Sequence, residues 1–188
     1  MLKTNKIYNM GVREGLTKLE PESIDCVITS PPYWSLRDYG IPASVWGGDP
    51  ECQHEFEIKI KEINPKPSDK STLGYRANGE YSFGKEGSPY LNNLKQTEYK
   101  EGFCSKCGAW NGTLGLEPNF ELFIQHLCDI YDGVKRVLKK SGTCWVNLGD
   151  TYSNGINGIK PKCLMMLPQR FAIEMINRGW ILRNIIIW

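Results

Sequence analysis

The residues best suited to chemistry follow a short apolar run near the N-terminus. The run from Ile24 to Thr29 is mostly apolar and β-branched, which predicts a strand buried on both faces of a parallel sheet. Pro31 and Pro32 end that strand, because proline has no N–H group to donate to a central ladder. The segment Ser-Pro-Pro-Tyr-Trp at residues 30–34 should therefore lie at the carboxyl edge of the sheet, where open α/β folds bind ligands.

This segment suits the methylation of an exocyclic amine on a nucleobase, which is a poor nucleophile because its lone pair is delocalised into the ring. The Ser30 hydroxyl and the Pro31 carbonyl could accept both amine hydrogens and orient the lone pair towards a methyl donor. Tyr33 could stack on a base taken out of a duplex. The alternative is an ordinary Pro-Pro turn after a strand, since motifs this short often match by chance.

Residues 30–34 after an apolar strand, with Leu-Arg-Asp-Tyr-Gly at 36–40, resemble motif IV of DNA amino-methyltransferases acting on N4 of cytosine or N6 of adenine. The segments 136–150 and 167–188 resemble later helix-to-strand elements of that family. Their order is that of the subgroup whose catalytic half precedes its cofactor half. The resemblance implies an α/β fold with a partial doubly wound Rossmann-like methyltransferase sheet, and the cysteine spacing described below adds a zinc-binding insertion to this expectation.

The resemblance also implies an activity and a set of site residues. The activity is site-specific methylation of double-stranded DNA with a flipped base, using S-adenosylmethionine, and serine at the first motif position favours cytosine N4 over adenine N6. Asn147 and Asp150 follow the next predicted strand, where a plain turn is the alternative to a binding role. The predicted roles are catalytic for Ser30, Pro31, Pro32 and Tyr33; cofactor-binding for Thr29, Ser30, Asn147 and Asp150; and substrate-binding for Tyr33, Trp34 and Arg37.

Residues 49–113 differ in composition and predict an insertion between 1–48 and 114–188, which together form the expected catalytic half. Cys-Ser-Lys-Cys-Gly at 104–108 resembles a zinc knuckle, and two more ligands near residue 52 would complete a tetrahedron. The alternative is a redox pair, or a chance one, beside an unrelated cysteine and histidine. The predicted Zn²⁺ ligands are Cys52, His54, Cys104 and Cys107.

The middle of the insertion interleaves rings with cations, which suits base stacking and phosphate contact or, alternatively, a solvated loop. These residues are Tyr75, Arg76, Tyr81, Phe83, Lys85 and Tyr90.

The remaining chain alternates between helical and extended patterns. Apolar spacing predicts helices over 12–19, 120–138 and 164–178, with Lys139 and Lys140 at the end of the second helix and Gly142 as its stop. His126 and Cys128 lie within the second helix and are interpreted as packing residues rather than ligands. Further strands are predicted at 6–9, 143–148 and 181–188.

Composition adds weaker constraints. The formal net charge of +2 means that any DNA contact must come from local patches or from a further segment. Seven cysteines, an odd number, are interpreted as reduced thiols or metal ligands. The N-terminus has no apolar signal region and no stretch could span a bilayer, so we expect a cytoplasmic protein without membrane contact.

Nothing in the chain is a glycine-rich turn after a strand of the kind that approaches S-adenosylmethionine. The chain is therefore interpreted as an N-terminal half that self-associates or needs a C-terminal half. Two other classes stay open, an amine or amide methyltransferase acting on RNA or protein, and a non-catalytic remnant that binds nucleic acid through its zinc insertion.

Overall fold

The computed structural model describes residues 2–63, 95–100, 102–155 and 158–187. The chain divides into two compact units, unit 1 (Met1–Gly47 and Gly112–Trp188) and unit 2 (Gly48–Asn111). The boundaries predicted from composition, 49 and 113, lie within two residues of this division. The interleaved aromatic and cationic residues between 75 and 90 lie outside the described residues.

The described residues form three helices and seven strands. In order they are α1 (Val12–Thr17), β1 (Ile24–Thr29), β2 (Ser44–Trp46), β3 (Ile58–Ile63), β4 (Lys95–Lys100), β5 (Gly102–Phe103), β6 (Trp110–Gly112), α2 (Phe120–Val137), β7 (Leu138–Val146) and α3 (Leu167–Asn177).

In unit 1, β1 and β7 pair in parallel, with Val27 opposite Cys144 and Thr29 opposite Val146. This parallel pairing, together with α2 before β7 and α3 after it, is consistent with the predicted methyltransferase-like α/β fold. In unit 2, β3 pairs antiparallel with β4, and β5 pairs antiparallel with β6.

Helix α2 confirms the predicted long amphipathic helix. The Asn119 side chain caps its start by accepting a 2.8 Å hydrogen bond from the Leu122 N–H group. His126 and Cys128 are buried on its inner face, as expected of packing residues. The expected ending was wrong, because the helix stops at Val137, before the two lysines. Leu138 has extended backbone angles, φ −75° and ψ 136°, and begins β7 at once.

The core of unit 1 lies between α2, α3 and one face of the β1–β7 pair. Phe123, Leu127 and Tyr131 of α2 are almost fully buried in it, beside Met165 and Leu167. At the surface, Arg178 joins the two helices by ion pairs with Asp129 and Asp132, both at 2.7 Å, and with Glu174 at 3.0 Å.

Strand β1 does not have both faces buried, as the sequence predicted. Val27 packs against the core, whereas Ile28 on the opposite face is 80% exposed. The error arises because an apolar run shows only that its side chains favour burial, and not whether another part of the protein covers them. Among the described residues, only one face of this strand pair is covered.

Three other expectations were also wrong. Residues 6–9 and 181–187 are not strands, because neither segment pairs with another among the described residues. Ile7 and Ile187 are accordingly almost fully exposed. Helix α3 begins at Leu167 rather than at residue 164, because Met166 adopts a left-handed backbone conformation with φ 57°. No helix in the described part of the chain is long and apolar enough to cross a membrane.

Candidate active site and candidate metal centre

The carboxyl ends of β1 and β7 meet at one edge of the sheet. The Asn147 N–H group donates a 2.9 Å hydrogen bond to the Thr29 carbonyl, which extends the parallel pairing one residue beyond β7. This bond brings Ser30 and Asn147 next to each other where the strands end. The sequence predicted this proximity, because parallel strands end at the same edge.

The ring of Tyr33 lies directly on the backbone of Gly149. A Cβ atom at Gly149 would lie 2.6 Å from Cε2 and 2.7 Å from Cδ2 of that ring. Only glycine therefore allows this contact without a shift of the tyrosine. Tyr33 is half-buried, so the contact fixes the ring while part of it stays open to solvent. Sequence reasoning interpreted Gly149 as a loop signal and missed this role.

Gly115 packs against the backbone of the same segment, at Pro32 and Tyr33. A Cβ atom at Gly115 would lie 3.1 Å from Pro32 Cβ and 3.2 Å from the Tyr33 carbonyl oxygen. Its φ of 94° also favours glycine. The Gly115 carbonyl accepts a 2.8 Å hydrogen bond from the Ser35 N–H group. The backbone from Pro32 to Ser35 is therefore held on both sides of the half-buried Tyr33.

A buried carboxylate holds this support in place. Glu117 Oε2 accepts a 2.8 Å hydrogen bond from the Gly115 N–H group, and Oε1 lies 3.1 Å from His126 Nδ1. The Glu117 carbonyl accepts a 2.9 Å hydrogen bond from Trp34 Nε1. Trp46 stacks on the other side of His126, with ring centroids 5.0 Å apart. Sequence reasoning did not find Glu117, because nothing in its local pattern distinguishes it from a surface glutamate.

Trp34, one of the predicted substrate-binding residues, is not accessible to a base in this structure. Its side chain is part of the core, 4% exposed, and meets Phe120 edge-on at 6.2 Å between centroids. A base cannot stack on a ring whose faces are already covered by the protein. Arg37, by contrast, is exposed, four residues beyond Tyr33.

Asp150 has a structural role at the start of α3. Its Oδ1 accepts hydrogen bonds from the N–H groups of Thr151 at 2.8 Å and of Leu167 at 3.1 Å. Met166 contributes no side-chain cap, so Asp150 supplies the acceptor that the first turn needs. The loop after β7 is thereby tied to α3. A contact of Asp150 with a cofactor stays a prediction.

The four predicted metal ligands come together within unit 2. Their ligand atoms all lie within 4.8 Å of one another. Cys52 Sγ is 4.0 Å from Cys104 Sγ, and Cys107 Sγ is 3.3 Å from His54 Nδ1. Hydrogen bonds from Cys104 N–H to the Ala109 carbonyl, 2.7 Å, and from Gly108 N–H to the Cys104 carbonyl, 3.0 Å, form the tight turn between them.

The surroundings shift the pKa values of the three thiols in different directions. Burial alone would raise the pKa of Cys104, but backbone N–H groups of Cys107, Lys106 and Glu55 outweigh it and lower that pKa to about 6. The N–H groups of Ala109 and Asp49 likewise lower the pKa of Cys107.

Cys52 and His54 shift the other way. Burial, followed by the neighbouring sulfurs, raises the pKa of Cys52 to about 12. A hydrogen bond to Cys104 raises the pKa of His54, against the opposing effect of burial.

Similarity to known proteins gives the class of this protein. The N6_N4_Mtase family model, described as DNA methylase, matches residues 24–188, and the chain belongs to that family. It is 28% identical over 209 residues to the type II methyltransferase M.SmaI of Serratia marcescens. That alignment covers 100% of this chain and 48% of M.SmaI. The chain is 26% identical over 210 residues to M.XycI of Xanthomonas campestris pv. cyanopsidis, covering 100% of this chain and 47% of that protein.

A third relative is M.Cfr9I of Citrobacter freundii, 25% identical over 195 residues, with 92% of this chain and 42% of that protein covered. The chain thus spans about half the length of the curated relatives it matches. No solved structure matches it significantly. These comparisons confirm the predicted resemblance to the N-terminal portion of a DNA amino-methyltransferase.

Proposed function

We propose that the chain carries the catalytic segment of a DNA methyltransferase that transfers a methyl group from S-adenosylmethionine to an exocyclic base amine, with cytosine N4 favoured over adenine N6. The observation that carries this proposal is the edge where β1 and β7 end. There Ser30 and Asn147 lie side by side, and Tyr33 is held on Gly149. The membership of the DNA methylase family supports the same reaction.

The chemistry proposed for the segment is orientation rather than strong base catalysis. The Ser30 hydroxyl and the Pro31 carbonyl accept the two amine hydrogens, which turns the nitrogen lone pair towards the methyl group. Tyr33 offers its open face to a flipped base, whose contacts offset the cost of extrusion. Pro32 keeps this backbone extended and rigid. Arg37, four residues further and exposed, is placed to contact a neighbouring phosphate.

The residues present fit one side of an S-adenosylmethionine site. The donor set comprises the Thr29 and Ser30 hydroxyls and the Asn147 amide, all at the sheet edge where this fold class binds ligands. When bound, S-adenosylmethionine supplies an electrophilic methyl group on a sulfonium. We propose that Thr29, Ser30 and Asn147 contact it directly. Asp150, whose Oδ1 already caps α3, would act mainly by holding the loop that carries Asn147.

We further propose that catalysis needs a complementary α/β segment covering the open side of the β1–β7 pair. Ile28 is 80% exposed there, and its neighbour across the ladder, Trp145, is 51% exposed. The tail from Ile181 to Ile187 adds more exposed apolar side chains. Large apolar surfaces of this kind favour association, so the chain alone should self-associate. Double-stranded DNA would be the substrate of the combined protein.

The test measures transfer of a labelled methyl group from S-adenosylmethionine to duplex DNA, RNA and protein. It uses the full 188-residue chain, alone and co-expressed with the C-terminal part of M.SmaI that this chain does not match. We expect transfer to cytosine-containing duplexes, and only with the complementary part. Transfer to RNA or protein instead would favour the alternative substrates, and equal transfer to cytosine-free duplexes would refute the cytosine preference. DNA binding without any transfer would favour a non-catalytic role.

Variants then test the residue roles. Ser30→Ala and Tyr33→Ala should lower turnover more than DNA affinity, because the segment orients the reacting amine whereas phosphate contacts supply most of the binding. Tyr33→Phe is the matched control, which keeps the ring and should keep much of the activity. Wild-type turnover in Ser30→Ala would reject the role of its hydroxyl.

A further inference from the structure

We propose that Cys52, His54, Cys104 and Cys107 form a closed structural zinc centre on which the fold of unit 2 depends, whereas unit 1 folds on its own apolar core. This centre is separate from the methylation site, since all four ligands belong to unit 2 and the residues at the sheet edge belong to unit 1.

Two of the distances between the ligand atoms are close to those around a tetrahedral zinc ion, and all four ligand atoms lie within 4.8 Å of one another. Typical Zn–S and Zn–N bond lengths place two sulfurs about 3.8 Å apart, and a sulfur and a nitrogen about 3.6 Å apart. The Cys52 and Cys104 sulfurs are 4.0 Å apart, and Cys107 Sγ lies 3.3 Å from His54 Nδ1. A disulfide would need about 2.05 Å between sulfurs. All seven cysteines are free thiols.

The donor set selects the metal and its role. Three thiolates and one imidazole suit zinc, and four protein ligands leave no open coordination position for a substrate. The arrangement is therefore that of a structural site rather than a catalytic one.

The protein around the ligands is shaped to hold such an ion. The Glu55 N–H group points at Cys104 Sγ, 3.4 Å away, which helps to orient the sulfur. Gly108, with φ 73°, closes the turn after Cys107. A Cβ atom at Gly48 would lie 2.5 Å from Ala109 Cβ and 2.9 Å from Cys107 Sγ, so residue 48 packs against this turn only because it is glycine.

The described part of unit 2 buries few apolar side chains. Among the side chains that the structure describes in it, the buried ones are Cys104, Ala109 and Trp110, whereas the apolar core cluster lies in unit 1. The metal would join residues 52 positions apart, Cys52 and Cys104, and so close a long loop. Small folds with few buried apolar side chains commonly depend on a metal in this way.

The first experiment measures metal in the full chain purified without added metal. Elemental analysis should find one zinc per chain, and Co²⁺ added to the metal-free protein should give the visible absorption of a tetrahedral thiolate site. Cys104→Ser should lose the zinc. His54→Cys, which keeps a ligand at that position, should retain it, and Cys163→Ser, at an exposed cysteine outside the cluster, is the control that should be unchanged.

The second experiment measures amide hydrogen exchange with and without a chelator. Removing zinc should abolish the protection of residues 102–111 and leave that of α2 and β7 unchanged. A chain with no bound zinc would overturn the proposal, as would unchanged protection of residues 102–111 in the metal-free protein. Loss of protection in α2 as well would refute the independence of unit 1. None of these readouts depends on methylation, so the two proposals fail separately.

Discussion

Replacing Glu117 with alanine should strongly destabilise unit 1. The side chains of Glu117 and His126 are 0% and 3% exposed, and the carboxylate accepts from both Gly115 N–H and His126 Nδ1. The substitution removes both acceptors where water has almost no access. Each buried donor left without its partner costs about 1–3 kcal/mol, and breaking a buried pair costs about 3–5 kcal/mol in total. We therefore expect the free energy of unfolding to fall by about 3–5 kcal/mol.

Urea denaturation followed by tryptophan fluorescence is a suitable assay, because Trp34 and Trp46 both border this network. Glu117→Gln keeps the shape and one acceptor oxygen, so its loss should be smaller, about 1–3 kcal/mol. Glu121→Ala, at an exposed position in the first turn of α2, is the matched control and should lose at most about 1 kcal/mol. A Glu117→Ala protein within about 0.5 kcal/mol of wild type would refute the reasoning.

Three further outcomes are expected. Gly149→Ala should displace the Tyr33 ring, because the new Cβ atom would lie 2.6 Å from Cε2 of that ring. The substitution should therefore lower methyl transfer in the completed enzyme. Unchanged transfer would argue against a fixed ring. Phe123→Ala should lower the free energy of unfolding by about 3–5 kcal/mol in urea titrations, because this side chain is fully buried. A hydrogen bond from Arg178 lowers the pKa of Glu174. Their pairing therefore stabilises the fold at pH values above the ordinary carboxyl pKa. This stabilisation is lost as the pH falls through the lowered pKa of Glu174. Unfolding free energies of Glu174→Gln, measured at a series of pH values, should therefore fall less steeply on acidification than those of wild type.

The predictions that held rest on local or periodic information. Helix α2 was recognised because its apolar residues recur on one face, and periodicity survives whatever the rest of the fold does. The strand at Ile24–Thr29 was recognised because two prolines end it abruptly. The three cysteines and the histidine predicted as ligands lie close together, because Cys-x-x-Cys followed by glycine is a local turn with its own geometry; metal binding by them stays a prediction.

The predictions that failed needed information about neighbours. The sequence could not tell Trp34 from Tyr33, since both are rings after two prolines; packing against Phe120 buries one, and Gly149 supports the other. The apolar segment 181–187 resembled a strand, but a strand needs a pairing partner, and none of the described residues provides one.

The sequence by itself indicated the family, because that resemblance depends on residue types at short spacing. The chemistry of the Ser-Pro-Pro-Tyr segment and the roles of the four metal ligands stay predictions. Only the tertiary structure decided how that segment is held. Gly115 and Gly149 contact Pro32 and Tyr33 of this segment, although they lie 80 or more positions away along the chain. Glu117 in turn pairs with His126, nine positions further on in α2. Such contacts arise from the packing of α2 and the β1–β7 pair, and no local pattern encodes them.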